Sequence, residues 1–249
     1  MLTTSVLAAA GLAATAAPAA AIHGGQNTTV ADHPYAMLLE TPDGRQSCGG
    51  TLVAPTKVLT AAHCVLDDAS GLLDLTVIGG RTDVKSTKGT VRHTASVKVH
   101  PKFDRGSLRY DAAVITLSAP MPYATLPVAG PKDSALYAFG KNAKTVGWGL
   151  TATGTPATRL KSAVLTLAPL KGCEPFTDPG DSDATRVCGT PTAGTRDSVC
   201  RGDSGGPLVA GGKVIGVVST GNKFCDDTYP VSVYTKVSAV ATDLGLPVR

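Results

Sequence analysis

Ser204 lies in Arg201-Gly202-Asp203-Ser204-Gly205-Gly206-Pro207-Leu208. Three glycines around one serine permit left-handed backbone and close approach of a bound molecule, and such a serine becomes a nucleophile when a base takes its proton. The stretch also satisfies a Gly-x-Ser-x-Gly turn pattern, and alone it reads equally well as a glycine-rich turn with a solvent-facing hydroxyl. Chain order discriminates. A serine nucleophile needs a histidine base, and that base needs a carboxylate to orient it. All five histidines (His23, His33, His63, His93, His100) precede Ser204, which excludes any order with the base after the nucleophile. An aspartate ahead of His63 could only be Asp32 or Asp43, both in turn-like contexts. The order that remains is His, Asp, Ser.

His63 is delivered by the apolar run Leu59-Thr60-Ala61-Ala62-His63-Cys64. It could also be a satisfied core histidine, or a metal ligand with Cys48 and Cys64. Adjacent His63 and Cys64 would have difficulty reaching one ion, and no further Cys or His pair completes a ligand set. His93 falls on the inward parity of its strand and reads as packing; His100, before Pro101 in a loop, reads as structural. Asp111 opens Asp111-Ala112-Ala113-Val114-Ile115-Thr116-Leu117, a carboxylate at the mouth of a buried strand. A strand cap would explain it, but an unpaired buried carboxylate is costly, so a partner such as the His63 ring N–H is expected.

The elements that must position these groups are strands. Short runs rich in Val, Ile, Leu and Thr recur at 51–53, 75–78, 91–99, 112–117, 163–167, 213–219 and 231–237, and residues 91–99 alternate as a half-buried strand does. With 28 Gly and 17 Pro, and helical periodicity only at 238–246, the class is all-β. The Pro- and Gly-rich stretch 119–132 is the natural crossing between two domains. At 249 residues and 43% hydrophobic content the chain can bury a large core, which excludes disorder. A net charge of +4 with 4% aromatics lacks the basic excess and stacking rings of nucleic-acid readers. Residues 1–21 read as an export signal, an Ala/Leu-rich segment ending in Ala19-Ala20-Ala21, although Met1-Leu2-Thr3-Thr4-Ser5 carries no basic residue and Met1 need not be the true start. No later stretch reads as a membrane span. Six cysteines suit an oxidising destination, but they allow more pairings than their spacing can choose between.

Thr60-Ala61-Ala62-His63-Cys64, Asp111-Ala112-Ala113-Val114 and Gly202-Asp203-Ser204-Gly205-Gly206-Pro207, in that order, resemble the three signature blocks of trypsin/chymotrypsin-like serine proteases. Ile22-His23-Gly24-Gly25, Cys48-Gly49-Gly50-Thr51-Leu52, Gly147-Trp148-Gly149 and Val233-Tyr234-Thr235-Lys236-Val237 extend the likeness over essentially all of 22–249. The resemblance implies two Greek-key antiparallel six-stranded β-barrels with a short C-terminal helix, divided as 22–128 and 129–249, with the cleft between them. It implies disulfides Cys48–Cys64, Cys173–Cys188 and Cys200–Cys225. It implies a secreted serine endopeptidase in which Ser204 attacks, His63 moves the proton, Asp111 orients His63, and the N–H groups of Gly202 and Ser204 form the oxyanion hole. The alternative is a non-catalytic relative that keeps the fold as a binding module.

Specificity departs from the family pattern. The residue six before the nucleophile, at the base of the family's primary pocket, is Ser198, where trypsin-like members carry Asp. Asp197 stands one place too early, and an insertion between Cys188 and Cys200 would let it slide in. Thr220 follows Ser219 where the family usually has Trp, and Ser232 replaces a Gly; with Val199 and Gly221 these residues make a narrowed pocket suited to small or medium uncharged side chains before Arg or Lys. The expected activation pair is the Ile22 ammonium with Asp203, formed by export itself because the signal cleavage site and the family's mature start coincide. The family's calcium loop corresponds to residues 82–91 and has no Glu, so neither metal nor cofactor is expected. The partners implied are a protein or peptide substrate and a proteinaceous inhibitor, with no nucleic acid, no membrane after signal cleavage, and a monomeric chain. Lys and Arg exceed acids between Arg81 and Arg109, which reads as a solvated barrel face or, alternatively, a surface for an anionic partner. Asn27-Thr28-Thr29 is a glycosylation sequon.

Overall fold

The computed structural model describes residues 22–67, 71–151 and 154–248. The proposed export signal, 1–21, lies outside the described residues.

Six strands close a first barrel: β1 (Ala36–Glu40), β2 (Gln46–Ala54), β3 (Lys57–Thr60), β4 (Thr76–Gly79), β5 (Thr90–Val99) and β6 (Ala113–Leu117), in the spatial order β1-β2-β3-β6-β5-β4. Six more close a second: β7 (Asn142–Gly147), β8 (Lys161–Ala168), β9 (Arg186–Pro191), β10 (Pro207–Ala210), β11 (Lys213–Gly221) and β12 (Ser232–Lys236). Their order is β7-β8-β9-β12-β11-β10, the same circuit repeated. In each, three consecutive strands form a meander and the fourth returns beside the first, a Greek key. Closure leaves neither sheet an unpaired edge.

Each barrel closes because its strands send apolar residues inward. In β1, Met37 and Leu39 face the core and Ala36 and Leu38 pack toward Trp148 and Leu160, so the run is buried on both faces. Met37, Leu39, Leu52, Leu59 and Ile115 are fully buried, each contributing about 1.5–3 kcal/mol. Leu165, Leu208, Ile215 and Tyr234 fill the second barrel.

Two sequence expectations are corrected. His93 faces solvent, because a bulge between Thr94 and Ser96 flips the parity of β5: Val97 and Val99 point inward, whereas Val91, His93 and Ala95 do not. The C-terminal helix is shorter than 238–246. α1 spans Val237–Val240 and continues as turns to Leu244. Gly245, at φ +73°, then closes it, with its N–H on the Thr242 carbonyl and the Leu246 N–H on the Ala241 carbonyl, and Pro247 blocks continuation. This segment does not pack only on its own barrel: Val237, Val240, Ala241, Leu244 and Leu246 join the core cluster of the first.

The cysteines pair as the resemblance implied, Cys48–Cys64, Cys173–Cys188 and Cys200–Cys225. The last ties the segment before Ser204 to the loop between β11 and β12.

Candidate active site

The buried residues Val58, Leu59 and Thr60 of β3 lead into a single helical turn, Ala62–Cys64, which the Cys48–Cys64 disulfide pins to β2. His63 is thereby held at the seam between barrels with its side chain 27% exposed. Asp111, just ahead of β6, is completely buried. Its Oδ1 accepts the His63 main-chain N–H at 3.0 Å, and its Oδ2 lies 2.7 Å from His63 Nδ1 and accepts the Ser219 hydroxyl at 2.7 Å. Thr235 Oγ1 donates to the Asp111 carbonyl at 2.9 Å. Three groups, two of His63 and the hydroxyl of Ser219 from the other barrel, thus meet the charge that burial would otherwise penalise. A carboxylate on Nδ1 keeps the proton there and leaves Nε2 as the free base. The sulfurs of Cys48 and Cys64 lie with His63 in one cluster, but they are bonded to each other and offer no thiolate for a metal.

Ser204 sits on the turn between the Cys200 disulfide and β10. Gly202 at φ +91° and Gly205 at φ +79° take backbone that a side chain would strain. The turn is fixed from several sides: Gly49 N–H donates to the Ser204 carbonyl at 2.7 Å, Gly205 N–H to Val218 at 2.8 Å, and Gln46 Nε2 to the Gly202 carbonyl at 3.3 Å.

A cleft of about 250 Å³ opens beside Ser204. Val199, Cys200 and Arg201 form one wall, residues 218–223 another, and Leu108 of the first barrel closes it. Ser198, which precedes Val199 of the wall, is buried, and its hydroxyl accepts a bond from Asn222 Nδ2 at 3.0 Å. Buried Ser232 accepts the Val199 N–H at 3.0 Å. Asp197 does not slide into this cleft. It packs against Gly24 and His23, because Ser198 N–H is bonded to the His23 carbonyl and turns the preceding side chain toward the N-terminal segment. Burial there pushes the Asp197 carboxyl up.

The profile of the family described as Trypsin matches residues 22–243. The chain belongs to the trypsin family. It is 39% identical over 219 residues to "Trypsin" of Saccharopolyspora erythraea, covering 88% of this chain and 94% of that protein. It is 31% identical to "Trypsin iota" of Drosophila melanogaster over 87% of this chain and 84% of the relative. It is 31% identical to a "Trypsin" of Phaedon cochleariae over 88% and 84%. Membership makes it a serine endopeptidase, a hydrolase that acts on protein or peptide substrates.

In this trypsin-family chain the N-terminal segment joins the sheet of the second barrel, which also carries the neighbours of Asp203. Ile22 is fully buried, and Gln26 and Asn27 pair with Ser162 and Lys161 of β8. Those residues pair in turn with Val146 and Gly147 of β7. Gly147 and Gly149 both lie against the Asp203 carboxylate, and a methyl group at either would collide with it. Asp203 accepts N–H bonds from Gly149 at 2.8 Å and Cys200 at 2.9 Å, yet burial dominates and pushes its carboxyl up to about 7.

His100 is structural: its ring stacks on Tyr110 at 5.0 Å and its Nδ1 accepts the Lys102 N–H. The residues that sequence reasoning missed are Leu108, Arg201, Val218, Asn222 and Lys223 of the cleft. Arg201 and Lys223 adjoin motif residues and were within reach; for Leu108 and Asn222 nothing in residue type or spacing announced the role.

Proposed function

We propose that this protein is a secreted endopeptidase that cleaves peptide bonds through an acyl-enzyme, with Ser204 as nucleophile, His63 as general base and then acid, and Asp111 as the group that orients and charge-balances His63. The observation that carries the reading is the fully buried Asp111 carboxylate 2.7 Å from His63 Nδ1, with Ser204 on the cleft that both barrels line. Ser204 Oγ adds to the substrate carbonyl as its proton passes to Nε2. The amine leaves with that proton, and water repeats the sequence on the ester. N–H groups of Gly202 and Ser204 would receive the developing oxyanion; such a donor is typically worth about 10²- to 10³-fold in kcat.

The barrels divide at 128/129, and the monomer is sufficient because both contribute to one site. Ser198 at the pocket base, narrowed by Val199 and Ser232, supports preference for small or medium uncharged side chains over Arg and Lys. Activity awaits a free Ile22 ammonium paired with Asp203, which would order the turn carrying Gly202 and Ser204; the burial of both residues supports this. A serine-directed fluorophosphonate should label the protein processed at Ile22 stoichiometrically and should fail to label Ser204→Ala. Equal labelling of both would overturn the assignment, and no labelling of the parent would favour a binding module.

A further inference from the structure

The chain leaves β4 at Gly79 and enters β5 at Thr90, and those two residues pair directly. The loop between them, 80–89, is thus drawn together at its neck, where Gly89 adopts φ +104° and a side chain would strike the Gly79 carbonyl. The loop is also a tie between the barrels. The Thr82 carbonyl accepts Leu160 N–H at 2.8 Å and Trp148 Nε1 at 3.2 Å, and Val84 N–H donates to the Thr158 carbonyl at 2.8 Å. Gly149, next to Trp148, donates in turn to Asp203, so the loop stands behind the backbone on which the Ser204 turn rests.

Residues 82–91 are the stretch that corresponds to the family's calcium loop, and they do not fit that ion. Calcium gathers about six to eight oxygens, carboxylates among them. Asp83 is the one acid of the stretch; its Oδ1 already accepts the Lys85 N–H at 2.9 Å, and its carbonyl accepts the Ser86 hydroxyl at 2.8 Å. Lys85 and Lys88 of the same loop repel a divalent ion. What the loop does hold is a cation of its own. Arg81 Nε donates to the Lys88 carbonyl at 2.9 Å, across the neck, and Nη1 donates to Glu40 Oε1 at 3.3 Å. Both side chains are largely withdrawn from water, at 11% and 17% exposure. A planar guanidinium with donors on separate edges meets a backbone carbonyl and a carboxylate at once, the two kinds of oxygen that a calcium ion would collect.

We propose that Arg81 is the resident cation of this loop: its guanidinium closes the neck and neutralises Glu40, so that residues 80–89 keep their hold on the second barrel without a metal ion. Stability and local order should then be indifferent to calcium and dependent on Arg81. The inference does not draw on the catalytic reading, because no reacting group takes part.

Thermal unfolding and hydrogen exchange test it on the full chain carrying Ser204→Ala, which prevents self-digestion, once in EDTA and once in millimolar calcium chloride. This parent should show one unfolding midpoint and one rate of deuterium uptake at 80–90 in both solutions. Arg81→Met with Glu40→Gln removes both charges and leaves no carboxylate unpaired; it should lower the midpoint by about 4 °C and speed uptake at 80–90 about tenfold in both solutions, through local opening. Arg81→Lys keeps a charge beside Glu40 but gathers its donors at one point and cannot also span the neck, and it should speed the same uptake. A parent midpoint more than about 4 °C higher in calcium than in EDTA, or slower parent uptake at 80–90 in calcium, would overturn the proposal. Uptake at the parent's rate in every variant that folds would overturn it equally, and if neither folds the parent's response to calcium decides.

Discussion

Keeping Ala21 joined to Ile22 should make folding stability depend on one buried carboxyl. Asp203 is 1% exposed, and burial raises it from 3.8 to about 7. At about 1.4 kcal/mol per pH unit, ionising it inside the uncleaved chain costs on the order of 4 kcal/mol. A raised carboxyl stabilises the fold fully below its unfolded value and loses that contribution as pH rises through its folded one. The uncleaved chain should therefore be most stable near pH 4 and lose up to about 4 kcal/mol by pH 8. On the proposed pairing, processing at Ile22 would bring an ammonium to Asp203, and the processed chain should lose much less over the same window. Urea denaturation at pH 4, 6 and 8, with Ser204→Ala in every sample to prevent self-cleavage, measures both curves. Asp203→Asn should flatten the uncleaved curve. An uncleaved chain with the same midpoint at pH 4 and pH 8, or identical slopes before and after processing, would refute the reasoning.

Ser204→Ala or His63→Ala should lower kcat by several orders of magnitude while thermal unfolding moves little, since neither group is core packing; calorimetry beside peptide hydrolysis checks both halves. Ser198→Asp should turn preference toward Arg and Lys substrates, with the gain limited by Val199 and Ser232, whereas Asp197→Ala should leave the parent's preference alone; kcat/KM on a matched substrate series decides between the two positions. Activity should fall reversibly above about pH 8 as the Ile22 ammonium deprotonates, pairing with Asp203 holding it charged somewhat further. Intrinsic fluorescence recorded alongside should show the fold intact.

The site was legible wherever chemistry coincides with a local motif. His63 and Ser204 sit in short stretches that are ambiguous alone and are singled out by their order along the chain, and Asp111 is exposed by the cost of a carboxylate on a buried strand. Disulfides and barrels came with the resemblance; six cysteines alone left the pairing open. What stayed hidden depends on contacts across the seam. Asn222 meets Ser198 across 24 residues of chain, and Leu108 reaches the cleft from another barrel. His93 was misplaced because one bulge reverses the alternation of β5, and strict period-two reading has no term for it. The helical stretch was overlong because Gly245 at φ +73° closes it early.

The crossing of the C-terminal segment onto the first barrel ties the order of synthesis to the order of completion. A chain emerging from its N-terminus makes all six strands of the first barrel well before it makes Val237, Val240, Leu244 and Leu246, which finish that barrel's core. The half that carries His63 and Asp111 should therefore complete its core only after residues 237–246 are made. Ending the chain before Val237 should leave apolar surface on the distant half, visible as bound hydrophobic dye, so the segment 237–246 acts as the fastener of a barrel made long before it.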